Sequence, residues 1–471
     1  MATIIVLDLI VILILVGIVL SKGFEDALPY VTFVCILLPG TCRINVGLFD
    51  LTAQRLVLMV LIVLYAFTAK KNGPQKLPLQ WLILAQVIWA LISTANSVDP
   101  VMSLKKLLSV AVEYYLLYLI FLRSISSIRT VYRILGAMVG AMVVCSVFGT
   151  IELYGHWSVM SLFPAKVSRI GLLLGLTGGN EGRITATFPH PILFGAALAI
   201  ALTVAMHLVK IANTSRRRVL LWMAILLMFL NIYRTLSRGP WLGLILAFLL
   251  FFFLEGGKLR KYQVAIAALC VLVMIIRPGV FETIKNLYYE TTTTADWNDS
   301  PRTLGIAYRY ELRRVAQQEL EKSPARALWG YGMESFSYLN LQGHLAGHDF
   351  PFLSCDSAWI EIMIETGYGG LLLLGALLIK PAVLAWKNYR SFPEADKYLS
   401  LTFFISFVIY YFMMLSVAMY AWGQEGYMLW IMVACSIAYG NLVVSKSRAS
   451  ASSDAPIRIH EPAAMPAALS S

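Results

Sequence analysis

The sequence predicts an all-α, polytopic membrane helix bundle of about 12–13 transmembrane helices, with one large extramembrane loop that contains an amphipathic helix. Three observations predict it. First, 59% of the 471 residues are hydrophobic and 14% charged, with a mean hydropathy of +0.73. Soluble domains lie nearer half apolar and a quarter charged. Second, the apolar residues form unbroken runs, such as Thr3–Leu20 and Trp241–Leu254. A helix apolar on every side needs lipid or other helices around it. Third, basic residues occupy every second connection between these runs.

The expected membrane segments are 4–20, 28–40, 55–69, 79–95, 106–122, 134–154, 189–211, 217–233, 239–254, 262–277, 357–379, 399–419 and 425–443. The basic connections carry Lys70, Lys71 and Lys76; Arg123, Arg129 and Arg133; Lys210 and Arg216–Arg218; Lys258, Arg260 and Lys261; Lys380, Lys387, Arg390 and Lys397; and Lys446 with Arg448. By the positive-inside rule these face the cytoplasm. The 155–188 loop, the 234–238 turn and the 278–356 segment then face the other side. The net charge of +12 is read as topology signal and contact with anionic lipid rather than with nucleic acid. The start of the chain has no basic n-region and no small-residue cleavage site, so its first segment is expected to be a retained helix.

The 278–356 loop is too long for a bare connector. Ser300-Pro301 offers an N-cap and an N1 proline. Tyr308, Leu312, Val315, Ala316 and Leu320 recur at helical spacing before Ser323-Pro324, which predicts an amphipathic helix over 302–322. Gly330-Tyr331-Gly332 reads as a turn. The tail 445–471, rich in Ser, Ala and Pro, reads as disordered and cytoplasmic. Of the six cysteines, Cys42 and Cys355 fall on the outer side, but nothing in the sequence brings them together as a disulfide.

The candidate site residues lie on that outer side. Arg234 and Arg238 stand at two helix ends joined by a tight turn. The bland reading is that they reach for phospholipid headgroups. An arginine at an outer boundary runs against the positive-inside bias, however, and a planar guanidinium matches a phosphate or diphosphate with two parallel hydrogen bonds. Arg309 and Arg313, four residues apart, share one stripe of the amphipathic helix. A solvated basic face explains Arg313 and Arg314, whereas Arg309 suits either reading. Asp356 opens the helix after the loop, followed by Glu361 and Glu365. It is a helix cap or a general base for a hydroxyl, with His344 and His348 as rival bases. Glu113 lies within an apolar segment, as a site or as a paired structural carboxylate. There is no zinc-ligand spacing, P-loop or dinucleotide fingerprint.

Three of these stretches resemble the O-antigen ligase and O-antigen polymerase superfamily of membrane glycosyltransferases. Ser237-Arg238-Gly239-Pro240-Trp241-Leu242 resembles its serine-arginine turn. Arg309 to Pro324, with Gly330, Gly332 and Phe336, resembles its arginine-led helix and glycine turn. Asp356 to Gly370, with Glu365, Gly367 and Gly370, resembles its block in which a histidine-asparagine pair precedes a helix bearing glutamate and glycines. Arg183 to Ala196, with His190-Pro191, is a weaker echo. The resemblance covers residues 183–375. At one point the chain departs from it: Asp356, followed by Ser357, stands where ligases carry the histidine proposed as base.

The resemblance implies a GT-C-like transferase domain over 1–444, metal-independent and without a cofactor, in a bacterial inner membrane with a periplasmic active face. Its donor would be a polyprenyl-diphosphate-linked glycan. Its acceptor would be a hydroxyl on lipid A core, on another glycan or on a protein, with membrane lipid around it and no nucleic acid partner. Arg238 and Arg309 would hold the diphosphate, Asp356 would take the acceptor proton, and Arg234, Arg313, Arg183 and Glu365 would bind substrate. The superfamily leaves ligase and polymerase both open. A lipid-linked glycan or polysaccharide transporter is the alternative from another class. A transporter favours repeat symmetry and broken helices at the bilayer midplane, whereas here the candidate arginines lie at the outer boundary and the large loop is on one side only.

Overall fold

A computed structural model describes residues 2–40, 43–45, 50–68, 76–162, 183–255, 305–345, 348–352, 355–421 and 423–453. The described chain is almost entirely helical. The first half holds α1 (Ala2–Lys22), α2 (Phe24–Leu37), α3 (Ala53–Thr68), α4 (Gln80–Ala95), α5 (Pro100–Val110), a π-helical turn (Ala111–Leu116), α6 (Leu117–Ser124) and α7 (Ile128–Gly155). Next come α8 (Pro191–Lys210), α9 (Ser215–Thr235) and α10 (Arg238–Leu254). From residue 305 onward lie α11 (Gly305–Glu321), α12 (Pro324–Trp329), α13 (Ala358–Ser391), α14 (Glu394–Met413) and α15 (Gly423–Ser453). Two small antiparallel hairpins interrupt this series: β1 (Arg43–Asn45) with β2 (Asp50–Thr52), and β3 (Gln342–Leu345) with β4 (His348–Pro351).

The helices start where the sequence supplies caps. Asp99 accepts from Met102 N at 3.0 Å ahead of Pro100, Ser127 from Thr130 N at 3.2 Å and Thr214 from Arg217 N at 3.3 Å. Burial sorts the spans. In α8, 83% of the apolar window lies inside the protein, against 22% in α1. Helix α8 is therefore a central post, whereas Leu9, Leu13 and Leu20 of α1 stand exposed as a lipid-facing surface.

The helix ends separate into two groups, as the charge alternation predicts. The basic connections meet one another. Arg133 pairs with Asp26, Lys210 with Glu255 at 2.5 Å, and Asn441 donates to Lys76 O at 3.2 Å. The remaining ends meet at the opposite end of the bundle, together with 305–358.

That extramembrane region has a small core of its own. Leu312, Ala316 and Leu320 of α11 pack on Tyr331, Phe336, Leu341, Phe352, Met363 and Ile364. The amphipathic helix predicted over 302–322 is found as Gly305–Glu321, and Ser323-Pro324 both closes it and starts α12.

Several expectations shift. The predicted segment 28–40 is the helix Phe24–Leu37. The segment 399–419 is a helix only to Met413, and residues 414–421 turn back on the bundle end. Helix α13 runs on to Ser391, well past 379, and is kinked at Gly367. The last helix continues to Ser453, so the tail expected to be disordered from Ser445 begins helical. The segment 262–277, the loop start to 304, Cys42 and the tail from 454 lie outside the described residues.

Candidate functional site

The arginine turn is built by three elements. Helix α9 ends at Thr235, Leu236 turns left-handed at φ 47°, and Ser237 leads into α10. The segment 183–188 braces this turn. Arg183 donates through Nε to Thr235 O and through Nη2 to Ser237 Oγ, both at 2.9 Å. Ile184 N donates to Arg234 O at 3.4 Å. Glu152 at the end of α7 anchors the brace by accepting from Thr185 N at 3.0 Å and Ala186 N at 2.8 Å. Behind the turn, a Cβ on Gly195 would come within 2.7 Å of the Pro240 ring, so a residue without a side chain lets α8 and α10 close up.

The opposite wall is the turn after α14. Met414 O accepts from Ala358 N at 3.0 Å and from Ser357 Oγ at 3.4 Å, which fixes the start of α13. Ser416 O accepts from Arg309 Nη2 at 3.4 Å. A Cβ on Gly239 would lie 2.8 Å from Ser416 Oγ, so the arginine turn sits directly against this loop. The 414–416 turn thus joins the three stretches singled out in the sequence: 234–239, the arginine helix, and 355–358.

The guanidinium groups in this arrangement differ. Arg234 and Arg309 are half-buried, and the Nε–H of each is buried without an acceptor among the described residues. Arg238 is half-buried as the first residue of α10. Arg183 gives two of its donor atoms to the backbone and hydroxyl of the turn, so it acts as a brace. Arg313 is exposed. Arg314 is also exposed and forks onto Glu311, with hydrogen bonds of 2.7 and 2.6 Å.

Asp356 is not the N-cap residue of α13. The N-cap is Ser357, and Asp356 stands one residue outside the helix, half-exposed. Its carboxylate lies near Tyr308, whose hydroxyl is pushed upward by burial and then by the Asp356 charge, against the opposing pull of Arg309. Tyr308 thereby links the candidate base to the candidate arginine. The rings of Phe350 and Phe352 on β4 and beside it hold Tyr308, with centroids 5.8 and 5.1 Å away. Cys355 is a free thiol whose pKa is pushed up by burial and then by Glu361, which disfavours the thiolate. His190 caps α8 through Nδ1, which accepts from Ile192 N at 3.2 Å. Burial and then Arg183 push its pKa down to about 4, so it is neutral at pH 7.

Glu365 is placed elsewhere than the arginines. It is buried among Glu361, Glu334 and Lys106, and Lys106 pairs with Glu334 at 2.9 Å. Its backbone carbonyl accepts from Ser93 Oγ and Gly332 N, both at 2.8 Å, and Tyr331 N donates to Ile364 O at 3.0 Å. These bonds dock the Gly330-Tyr331-Gly332 turn into the α13 kink. Gly330 at φ 76° and Gly367 at φ 69° have backbone conformations that a side chain disfavours. A Cβ on Gly330 would lie 2.5 Å from Glu365 backbone. The glycines of the motif therefore fit backbone to backbone, and Glu365 supports this joint through its main chain.

Glu113 takes the structural reading. It pairs with Arg55 at 2.8 Å and accepts from Tyr427 Oη at 2.8 Å. His344 lies on the exposed β3–β4 hairpin beside Asp349 at 2.7 Å. The side chain of His348 lies outside the described set. The sequence reading missed Ser416, Tyr308 and Glu152. Only Tyr308, placed on the apolar face of the amphipathic helix, carried a signal.

The comparison with family models finds that residues 223–375 match the family described as O-antigen ligase. The matched region contains Arg234, Arg238, Arg309, Asp356 and Glu365, and begins after Arg183. A comparison with curated proteins returned no match.

Proposed function

Taking the O-antigen ligase region in the middle of this multi-pass membrane chain as premise, we propose that the protein transfers a glycan from a polyprenyl-diphosphate donor to an acceptor hydroxyl on the periplasmic face. The observation that carries this reading is the pair of buried Nε–H groups on Arg234 and Arg309, which lack acceptors among the described residues. They stand beside Arg238 at the bundle end remote from the basic loops. A buried donor without an acceptor is costly, and a diphosphate supplies oxygens in the geometry a guanidinium matches. The lipid of such a donor needs a membrane surface and its sugar needs water. A helix end offers both.

In the reaction, the acceptor oxygen attacks the anomeric carbon while the bond from that carbon to the diphosphate oxygen breaks. Negative charge grows on the leaving diphosphate, where Arg238, Arg309 and Arg234 stabilise it. Asp356, one residue ahead of the N-cap of α13, takes the acceptor proton. Arg183, through its bonds to Thr235 and Ser237, positions the turn rather than touching the substrate.

The test is transfer by the full chain in proteoliposomes, with a polyprenyl-diphosphate glycan donor and separate acceptors. Glycan on lipid A core identifies a ligase. Lengthening of the donor-linked glycan identifies a polymerase. Movement of donor across the bilayer without any new glycosidic bond would replace the enzyme reading with the transporter.

A further inference from the structure

A second polar feature lies at the same bundle end, between other elements. The end of α2, the start of α3, α5 with its π-helical turn, and the start of α15 enclose a cavity of about 210 Å³. Gln54, Lys105, Tyr114, Gln424, Glu425 and Tyr427 line it.

Three of these residues are 1% exposed, namely Gln54, Gln424 and Glu425. Each keeps a side-chain oxygen, Oε1, that receives no donor among the described residues. The amides cannot be turned over to remedy this. Gln424 Nε2 donates to Ile36 O at 3.1 Å and Thr187 O at 3.2 Å, and Gln54 Nε2 to Leu38 O at 2.5 Å. Carbonyl oxygens only accept, so the nitrogens must face them. Three of the lining side chains therefore hold buried oxygens that need donors.

The charges around it are mostly closed. Arg55 pairs with Glu113 and Lys106 with Glu334. Lys105 pairs with no carboxylate among the described residues. Tyr114 and Tyr427 add an aromatic wall, their ring centroids 5.2 Å apart.

A phosphate or diphosphate brings acceptors and mismatches this wall. A sugar ring brings several O–H donors around apolar C–H faces, and its own oxygens can accept from Lys105. Pro189 also lines the cavity, six residues along the chain from Arg183 of the arginine turn. Those six residues span at most about 20 Å, within reach of a short oligosaccharide.

We propose that this cavity binds one sugar ring of the substrate glycan, distinct from the ring whose bond reacts. The word "substrate" rests on the transferase reading; the binding itself does not. The probes are the methyl glycosides of a neutral hexose, a deoxyhexose and an N-acetylhexosamine, at millimolar concentration. The full chain is held in lipid nanodiscs free of maltoside detergent, and binding is read by saturation-transfer NMR. At least one glycoside gives a signal with the wild type. That signal falls at least tenfold in Met102→Trp, which fills the cavity without removing a hydrogen bond of the wall, and several-fold in Lys105→Met. It is unchanged in Arg238→Ala, and pyrophosphate does not compete with it. Melting temperature in the same discs shows that each variant is folded, and Lys105→Met carries the test if Met102→Trp is not. No signal from any glycoside, a signal that survives in the folded cavity variants, or displacement by pyrophosphate overturns the proposal. Transfer activity without glycoside binding removes the cavity site and leaves the transferase. Glycoside binding at the cavity without transfer keeps the site and removes the transferase.

Discussion

Replacing Arg309 with methionine separates a substrate-binding role from a structural one. Among the described residues, Arg309 makes one hydrogen bond, to Ser416 O at 3.4 Å, the long end of the range. Its buried Nε–H has no acceptor among the described residues. Losing one hydrogen bond from a charged donor costs about 1.5–3 kcal/mol at good geometry and less at this length. Removing an unpartnered buried donor returns about 1–3 kcal/mol. The two nearly cancel, and methionine keeps the packing of the stem, so the melting temperature should move by only a few degrees. Catalysis loses much more. Two charge-assisted bonds to the leaving diphosphate, at about 1.5–3 kcal/mol each, correspond to roughly 10²–10⁴ in rate. The assay is initial transfer rate in proteoliposomes beside thermal unfolding of the same preparation. A rate within threefold of wild type, or a rate loss that follows a large fall in melting temperature, would refute the reasoning.

Asp356→Asn keeps the side-chain size and a hydrogen-bonding oxygen, so it should leave stability almost unchanged, and should lower transfer by about 10²–10⁴ if the carboxylate is the base; Asp356→His should keep partial activity, and full activity in Asp356→Asn would remove the assignment. Gly367→Ala should destabilise by at least about 2 kcal/mol, since φ 69° with ψ −176° is a region held by glycine, and thermal unfolding reads this directly. His190 has a pKa lowered to about 4 in the folded chain from an ordinary 6.5. The neutral ring is thus favoured by folding, the associated stability is full above pH 6.5, and it is lost as pH falls from 6.5 toward 4. The loss approaches about 3 kcal/mol. His190→Asn keeps a capping side chain and should flatten that part of the pH–stability curve; an unchanged curve would show that His190 is not the group responsible.

Much of the architecture was legible because bilayer physics writes itself into sequence as long apolar runs and alternating basic connections. The arginine turn stands out in the sequence for the same reason: Arg234 and Arg238 sit at helix ends away from the basic connections. The 414–416 turn that gathers the site was not. Leu415 to Ala421 is as apolar as the helix before it, so hydropathy cannot mark where the hydrogen-bonded helix stops at Met413. The brace by Arg183 was equally invisible, because an arginine bound to a carbonyl and one poised for a phosphate read alike in a sequence. Glu365 shared a motif with the site residues, yet its conspicuous neighbours Gly367 and Gly370 mark a kink and a close packing contact that only the fold reveals. The β3–β4 hairpin escaped detection because strands of four residues, Gln342–Leu345 and His348–Pro351, are too short for alternation to stand out.

The central claim is that an arginine turn at the outer end of the bundle drives glycan transfer, and Arg238 tests it most directly. The measurement is the initial rate of glycan transfer from a polyprenyl-diphosphate donor, in proteoliposomes, for the wild type, Arg238→Ala and Arg238→Lys at equal membrane insertion. The account predicts transfer by the wild type, a loss of at least about 10²-fold in Arg238→Ala, and poor rescue by lysine, which lacks the planar fork. Wild-type transfer in Arg238→Ala would contradict it and return that arginine to a headgroup anchor.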